Sequence, residues 1–340
     1  MAKVRVALVG VGGISQIVRI PAIKKIEDAE LVALCDIDAA KVGFIADKYD
    51  VENVYYDIQH LLQREKIDAL FICTPNNLHY PMALAALENG IPALVEKPVA
   101  LNFEQTERLA KKSHDSKTPL IIGMNNRFRE DAVVLKEFME KDELGVPFYL
   151  KCGWQRHWGR MQNQAWLHDV RVSGGGVMMD MGISLLDLAL WLLGKPRVKS
   201  VRSFMYHIFS ESKAEDSALA VIETQNGVVV TIEVAWKLHI EKDINYMHVF
   251  GKHGAAFMNP LRINKEMHGK LVNVTPVDSE PALDPFKTAF EKEIVHFIQT
   301  IQGNAKPVTT IEDGLYIMQI IDALYQSARQ GIQIDFPATK

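Results

Sequence analysis

Short apolar runs alternate with amphipathic stretches through residues 1–122. Runs at 4–9, 31–35, 68–73, 92–95 and 119–122, with a weaker one at 53–55, are apolar almost without interruption and predict strands buried on both faces. Between them, helical spacing predicts helices near 13–27, 38–49, 57–64, 77–89 and 102–116. Asn102 is placed to cap the last of these, and Gly90 to stop the helix before it. Strand and helix in alternation predict βαβ units and a parallel sheet.

The rhythm changes after Gly123. A helix near 130–143 leads into β-rich segments at 147–157, 197–209, 217–224, 228–239, 246–250 and 271–275, with Asn226-Gly227 as the best hairpin turn. Helices return at 285–302 and 313–330, the first with Phe286, Phe290, Ile294, Phe297 and Ile301 along one side. Strands without intervening helices predict a mostly antiparallel sheet covered on one face. The expected fold class is α/β, with domains at 1–122 and 123–340 and the last helix free to pack back on the first domain.

Composition narrows the function. At 340 residues the chain can form two domains with real cores, and 48% hydrophobic with 24% charged residues is ordinary for a globular protein. A net charge of −4 gives no reason to expect nucleic acid or an anionic membrane as partner. Cys35, Cys73 and Cys152 are widely separated, form no CxxC pair and stand beside no zinc-spaced His, so no metal is expected. No uninterrupted apolar stretch reaches the ~20 residues of a membrane span. Met1 to Val6 enter a strand at once, leaving no room for a leader; a cytoplasmic, reduced protein is expected.

Chemistry begins at Gly10-Val11-Gly12-Gly13-Ile14-Ser15, a glycine turn between the first strand and the first helix. Gly12 lets the backbone approach a pyrophosphate seated on the helix N-terminus, and Ser15 stands where a small residue is wanted for helix–strand packing. The turn thus predicts a dinucleotide site of Rossmann type. Asp36 ends the second strand, where an acid meets the adenine-ribose hydroxyls and repels a 2′-phosphate. With Ile37, Asp38 and Ala39 following and no Arg nearby, NAD is expected over NADP. Thr74-Pro75-Asn76-Asn77 ends the fourth strand, where such sheets place ligands; His79 follows at a helix start, a position more suited to a structural side chain than to an acid or base. Residues 94–98, Leu-Val-Glu-Lys-Pro, put an ionisable amine at the carboxyl end of a buried strand, and hydride transfer is the chemistry this pairing indicates.

With Gly10-x-Gly12-Gly13-Ile14, Thr74-Pro75-Asn76, Glu96-Lys97-Pro98 and Gly174-Gly175-Gly176-x-x-x-Asp180-x-Gly182 in this order, the chain resembles the glucose–fructose oxidoreductase/inositol dehydrogenase (Gfo/Idh/MocA) family over nearly its whole length, to the closing Tyr325-Gln326-Ser327-Ala328. The resemblance implies an N-terminal Rossmann dinucleotide-binding domain and a C-terminal α/β domain with a large, mostly antiparallel open sheet. It implies an NAD(P)-dependent dehydrogenase or reductase acting on a hydroxyl-bearing carbon of a sugar, cyclitol or polyol-like molecule, as a homodimer or homotetramer. The coenzyme would be held by Gly10, Gly12, Gly13, Ile14, Asp36, Thr74, Pro75, Asn76, His79, Glu96, Lys97 and Arg127. Lys97 would lie near the nicotinamide and the substrate hydroxyl, taking its proton or, as ammonium, stabilising the oxyanion. Glu96 is placed to hold Lys97.

Asp180, Ser184 and Asp187 are spaced to share one helix face, with Leu186, Leu190 and Leu193 opposite as core. In the family, the acid at Asp180 orients a His four residues later; here that residue is Ser184, which does not take a proton near neutral pH unaided. Lys97 then acts alone with water, or another side chain replaces the imidazole (His157, His168, Tyr206 or His239), or the chemistry is lost. Arg156, His157 and Trp166, in a region crowded by Trp154 and Trp158, are candidate substrate contacts, along with Lys97, Asp180 and Ser184. Two alternatives stay open: a dinucleotide-binding sensor with altered catalysis, and a reductase of an imine or conjugated double bond.

Overall fold

The computed structural model describes residues 3–158, 165–209, 213–277 and 284–337. The chain forms two compact units: Met1–Phe128 with Phe286–Met318, and Arg129–Pro285 with Gln319–Lys340. This differs from a single cut at 122/123. The first boundary falls after Phe128, and residues 286–318 group with the first unit because their apolar side chains complete its core.

In the first unit, β1 (Val4–Val9), β2 (Ala29–Cys35), β3 (Asn53–Tyr55), β4 (Ala69–Ile72), β5 (Ala93–Glu96) and β6 (Leu120–Gly123) form a parallel sheet in the order β3-β2-β1-β4-β5-β6. The order reverses between β1 and β4, so the glycine turn and Thr74-Pro75-Asn76 leave the sheet on either side of the switch point. After the turn comes a π-helical segment, Ser15–Arg19, running into α1 (Ile20–Ile23). Then follow α2 (Ala39–Tyr49), α3 (Ile58–Arg64), α4 (His79–Glu88) and α5 (Phe103–Ser116). Asp38, Asp57 and Asn102 cap α2, α3 and α5 by accepting backbone N–H groups, and Gly90 has φ +67° just past α4. Leu8, Leu34, Phe71 and Ile121 fill the core, and Phe297 meets Phe71 edge-on at 5.1 Å.

The second unit begins with α6 (Glu130–Glu140) and β7 (Pro147–His157). Next come α7 (Val170–Ser173), a second π-helical segment at Met178–Gly182 and α8 (Ile183–Leu192). The remaining strands are β8 (Val198–Tyr206), β9 (Ser217–Thr224), β10 (Val229–Leu238), β11 (Ile244–Gly251), β12 (Gly254–Met258), β13 (Arg262–Met267) and β14 (Lys270–Asn273). The chain closes with α9 (Pro285–Ile301), α10 (Ile311–Gln330) and β15 (Ile334–Asp335), α9 lying almost wholly in the first unit and α10 being divided at Met318. The sheet runs β14-β13-β12-β11-β7-β10-β9-β8-β15, with β7 and β10 parallel and the other described pairs antiparallel. Alternating burial along β9 and β10 shows one covered face, and Gly227 turns their hairpin at φ +84°.

Two sequence expectations need correction. Strands β12 and β13 have no counterpart in the hydrophobic pattern, since Gly254-Ala-Ala and Arg262-Ile-Asn-Lys-Glu carry little alternation. In α8, every residue except Trp191 is buried, so the flank carrying Ser184 and Asp187 is as enclosed as the leucine flank. Residues Val170–Leu192 are long and apolar enough for a membrane span, but 83% of the apolar window is buried within the protein.

Candidate functional site

The glycine turn is shaped by what lies against it. Gly10 has φ +89°, and a Cβ there would stand 2.5 Å from the Cys73 carbonyl oxygen. Only glycine lets β1 leave the sheet so close to the end of β4. At Gly12 and Gly13 nothing lies within 4 Å of a notional Cβ, so the backbone faces open space. The following helix begins at Gly13, its first backbone bond running from the Gln16 N–H to the Gly12 carbonyl at 3.1 Å, so the earlier N–H groups of its first turn lack that bond. Ser15, in the third glycine's place, donates its hydroxyl to the Gly10 carbonyl at 2.5 Å. Open glycines at such a helix start fit a pyrophosphate.

Asp36 is tied to this turn. Its Oδ2 accepts the Val11 N–H at 2.9 Å, and its Oδ1 accepts the Asp38 N–H at 3.0 Å. Lys41 Nζ stands 3.2 Å from Oδ1, a cation that a search for nearby Arg overlooks. The carboxylate is thus fixed at the end of β2, as an acceptor for a ribose diol must be.

Across the switch point, Thr74, Pro75 and Asn76 lead into α4, with Asn76 buried. His79 is fully buried, with Nδ1 2.7 Å from the Pro98 carbonyl oxygen and Nε2 2.8 Å from that of Thr74. It staples the Thr74 turn to the Lys97-Pro98 turn. Burial lowers its pKa, and the two carbonyls oppose that effect. Lys97 itself is half-buried immediately after β5.

Glu96 has a partner that sequence reading missed. Arg19, fully buried, donates Nε to Glu96 Oε1 at 2.7 Å and sets Nη1 2.7 Å from Glu293 Oε2. Its guanidinium lies 4.6 Å from the centre of the Phe290 ring. Burial works against the charged form of Arg19, but Glu96 and Glu293 outweigh it and hold the guanidinium protonated. Burial pushes Glu293 up to about 7; Arg19 counters this and Glu96 adds to it. A Cβ at Gly123 would stand 3.0 Å from Arg19 Nη2 and 3.1 Å from Glu96 Oε2, so the cluster packs tightly against this glycine. Burial likewise pushes the thiols of Cys35 and Cys73 up to about 12, keeping them protonated and unreactive.

Arg127 is buried, and its Nη1 donates to the Val308 carbonyl at 2.8 Å and the Asp313 carboxylate at 2.7 Å, fastening residues 308–313 to the chain after β6.

The second unit contributes the Gly174–Gly176 turn. Gly174 has φ +81° at the end of α7, and side chains at Gly175 and Gly176 would collide with the Tyr325 hydroxyl and the Glu215 backbone. Glu215, buried, accepts the Gly176 and Met178 N–H groups at 2.8 and 3.0 Å and the Tyr325 hydroxyl at 2.8 Å. Burial raises its pKa, and these three donors oppose the rise. The clamp fixes the start of the π-helical segment that carries Asp180, a helical form frequent at functional sites. Asp180 Oδ2 accepts Trp236 Nε1–H at 2.9 Å, a partner from β10. Ser184 is buried one turn later.

Among the four candidate replacements for an imidazole, His168 packs edge-on against Trp236, ring centres 5.2 Å apart. His239 is exposed and stacks on Trp158 at 4.4 Å, with Lys237 Nζ 3.5 Å from the indole centre. Tyr206 is exposed at the end of β8, and the His157 backbone N–H donates to Asp243. Arg156 lies over the Trp154 ring at 5.4 Å, both on β7, and Trp166 is half-buried on the short turn Ala165–His168. Among the described residues, no cluster of His, Cys, Asp and Glu is arranged to hold a metal ion.

Comparison with known proteins extends these observations. Residues 4–124 match the oxidoreductase family's NAD-binding Rossmann fold, and residues 136–336 match its C-terminal alpha/beta domain. The D-glucoside 3-dehydrogenase of Escherichia coli strain K12 is 30% identical, with 98% of each chain aligned. The scyllo-inositol 2-dehydrogenase (NAD(+)) of Bacillus subtilis strain 168 is 26% identical over 98% of this chain and 96% of its own. An oxidoreductase from Agrobacterium radiobacter, crystallised with NAD+, L-tartaric acid and magnesium, shares the fold with a TM-score of 0.89 at 20% identity, over 98% of both chains.

Proposed function

The chain belongs to the Gfo/Idh/MocA oxidoreductase family, and from that premise we propose that it moves a hydride between NAD and a secondary alcohol carbon of a sugar or cyclitol, with Lys97 handling the hydroxyl proton. The observation that carries this reading is the placement of Lys97. It follows β5 directly, beside the switch point, and its turn is held by His79 on Pro98 and by Arg19 on Glu96. Relatives acting on a glucoside and on scyllo-inositol support a ring alcohol as the substrate class.

Bound NAD supplies the hydride acceptor at its nicotinamide ring. The rest of the work falls to the chain. Gly12, Gly13 and the helix start receive the pyrophosphate, and Asp36 accepts from the ribose diol and repels a 2′-phosphate. Lys97 hydrogen-bonds the reacting oxygen: as amine it takes the hydroxyl proton during oxidation, and as ammonium it returns one during reduction. Within the second unit, Asp180 is fixed by Trp236, and Ser184 is buried one turn beyond it. Arg156, Trp154 and Trp166 offer the cation and aromatic faces that suit a polyol. The working form in this reading is a cytoplasmic homodimer or homotetramer, checked by light scattering on the purified protein.

The test is NADH formation, followed by absorbance, over a panel of methyl glucosides, inositols and pentoses. Turnover with at least one ring alcohol is expected. Tight NAD binding with silence across the panel would overturn the proposal and favour a dinucleotide sensor. Lys97→Met should lower kcat by about 100-fold or more while leaving the Kd for NAD within threefold. An equal loss of both would contradict the role given to Lys97.

A further inference from the structure

A single guanidinium serves two acids next to the Lys97 turn. Arg19 closes the π-helical segment Ser15–Arg19, and its Nε and Nη2 stand 2.7 and 2.6 Å from one oxygen, Glu96 Oε1, at the end of β5. Its other arm, Nη1, lies 2.7 Å from Glu293 Oε2 on α9. All three residues belong to the first unit. The Cys73 thiol, just after β4, also faces the cluster, and burial keeps it protonated. On the Glu96 side, His79 senses that carboxylate and the charge of Lys97. With both acids ionised, the cluster holds one negative charge more than Arg19 can offset. A buried charge of that kind is removed by taking up a proton. Glu293 is the acid that takes it. Its side chain is 1% exposed against 13% for Glu96, and it meets one guanidinium nitrogen where Glu96 meets two. Burial accordingly pushes Glu293 up to about 7, with Arg19 opposing the rise and Glu96 adding to it.

We propose that Arg19 is a positioning residue that holds Lys97 through Glu96, and that the proton on Glu293 sets how firmly it does so. While Glu293 is protonated, the guanidinium's charge belongs to Glu96 alone, and Glu96 directly precedes Lys97. Once Glu293 ionises, two carboxylates share that guanidinium, and its grip on Glu96 slackens. The folded protein keeps the proton below about pH 7 and releases it above. This proton takes no part in the reaction; it tunes the turn that presents the amine. The effect on rate rests on the hydride-transfer reading above, whereas the hold on the turn stands without it.

Glu293→Gln copies the protonated acid at every pH and keeps its shape. The ratio of its kcat to that of wild type, on the same ring alcohol, should be near one at pH 6 and reach about fivefold at pH 8.5, with the Kd for NAD within twofold throughout. A flat ratio across this range overturns the proposal. Arg19→Lys keeps the charge but loses the fork that grips Glu96, so kcat should fall by about tenfold with the Kd for NAD within threefold. A folded Arg19→Lys protein with wild-type kcat also overturns it. The second measurement needs no substrate. Hydrogen exchange at residues 96–100, read by mass spectrometry at pH 8, is divided by exchange in the core strand Ala69–Ile72, which absorbs any difference in global stability. This normalised exchange should be about threefold faster in wild type than in Glu293→Gln, and equal values overturn the proposal. Wild-type protein silent on every alcohol counts against hydride transfer, and the exchange comparison then judges the Arg19 cluster by itself.

Discussion

Replacing Glu293 with Gln probes the buried charge cluster behind Lys97. Glu293 is fully buried, faces Arg19 at 2.7 Å, and titrates at about 7 where an ordinary glutamate titrates at 4.5. Burial drives the rise, Arg19 opposes it and Glu96 reinforces it. In the unfolded chain the carboxyl loses its proton near 4.5, so between 4.5 and about 7 the folded protein keeps a proton that the unfolded chain has released. Stability contributed by this group is fully present below pH 4.5 and is lost as pH rises through 7. At about 1.4 kcal/mol per pH unit, the gap amounts to roughly 3 kcal/mol. Glutamine has the shape of the protonated acid and does not titrate. The variant and wild type should therefore be nearly equal in stability near pH 5, and the variant should lead by roughly 3 kcal/mol at pH 8. Urea unfolding followed by far-ultraviolet circular dichroism at intervals from pH 5 to 8 measures the difference, in which titrating groups remote from Glu293 cancel. Parallel curves for the two proteins would refute the reasoning, because they would mean that Glu293 is ionised throughout and that Arg19 is shared by two carboxylates at every pH.

Other outcomes follow from individual contacts. Asp36→Ser removes the acceptor fixed by Val11 and frees Lys41; the Kd for NAD should rise by roughly 10-fold and the Kd for NADP should fall, as read by coenzyme fluorescence titration. Gly10→Ala places a Cβ 2.5 Å from the Cys73 carbonyl oxygen at φ +89°, so NAD binding should be lost in the same titration even where the protein remains folded. Tyr325→Phe takes one of three described donors from the buried Glu215 and should cost about 1–2 kcal/mol in urea unfolding, with no effect on NAD affinity.

The sheet of the first unit was legible because each of its strands is a local signal: an apolar run, a capped helix, a glycine at a turn. Gly10, Asp36 and Lys97 could be singled out for the same reason, since strand ends show in the pattern. Arg19 and Glu293 could not. Arg19 meets Glu96, 77 residues away, and a glutamate on α9, and nothing near any of the three marks the others. Glu215 and Tyr325, 110 residues apart, escaped in the same way, although the Gly174–Gly176 run announced that something must approach closely there. Lys41 was within reach: a lysine on the first turn of α2 lies close to the strand-end acid before it, and attention to arginine alone passed it over. Helix α9 showed its apolar side clearly, but no periodicity says which of two cores that side will join.

The residues that escaped share a physical role. Two π-helical segments lie beside candidate site residues, and each is held by a buried charge. At Ser15–Arg19, Arg19 is gripped by Glu96 and Glu293; at Met178–Gly182, Glu215 grips the Gly176 and Met178 N–H groups. Apolar packing alone would make both places more stable, because buried ions recover little beyond their desolvation cost. What they gain is direction: a charged hydrogen bond fixes a backbone to within a few tenths of an ångström, where a leucine side chain would let it slide. Hydride transfer requires that fixity, since a misplacement of about 1 Å can cost a hundredfold in rate. The departures from simple core rules therefore cluster where Lys97 and Asp180 are held, and the sheet elsewhere obeys those rules closely.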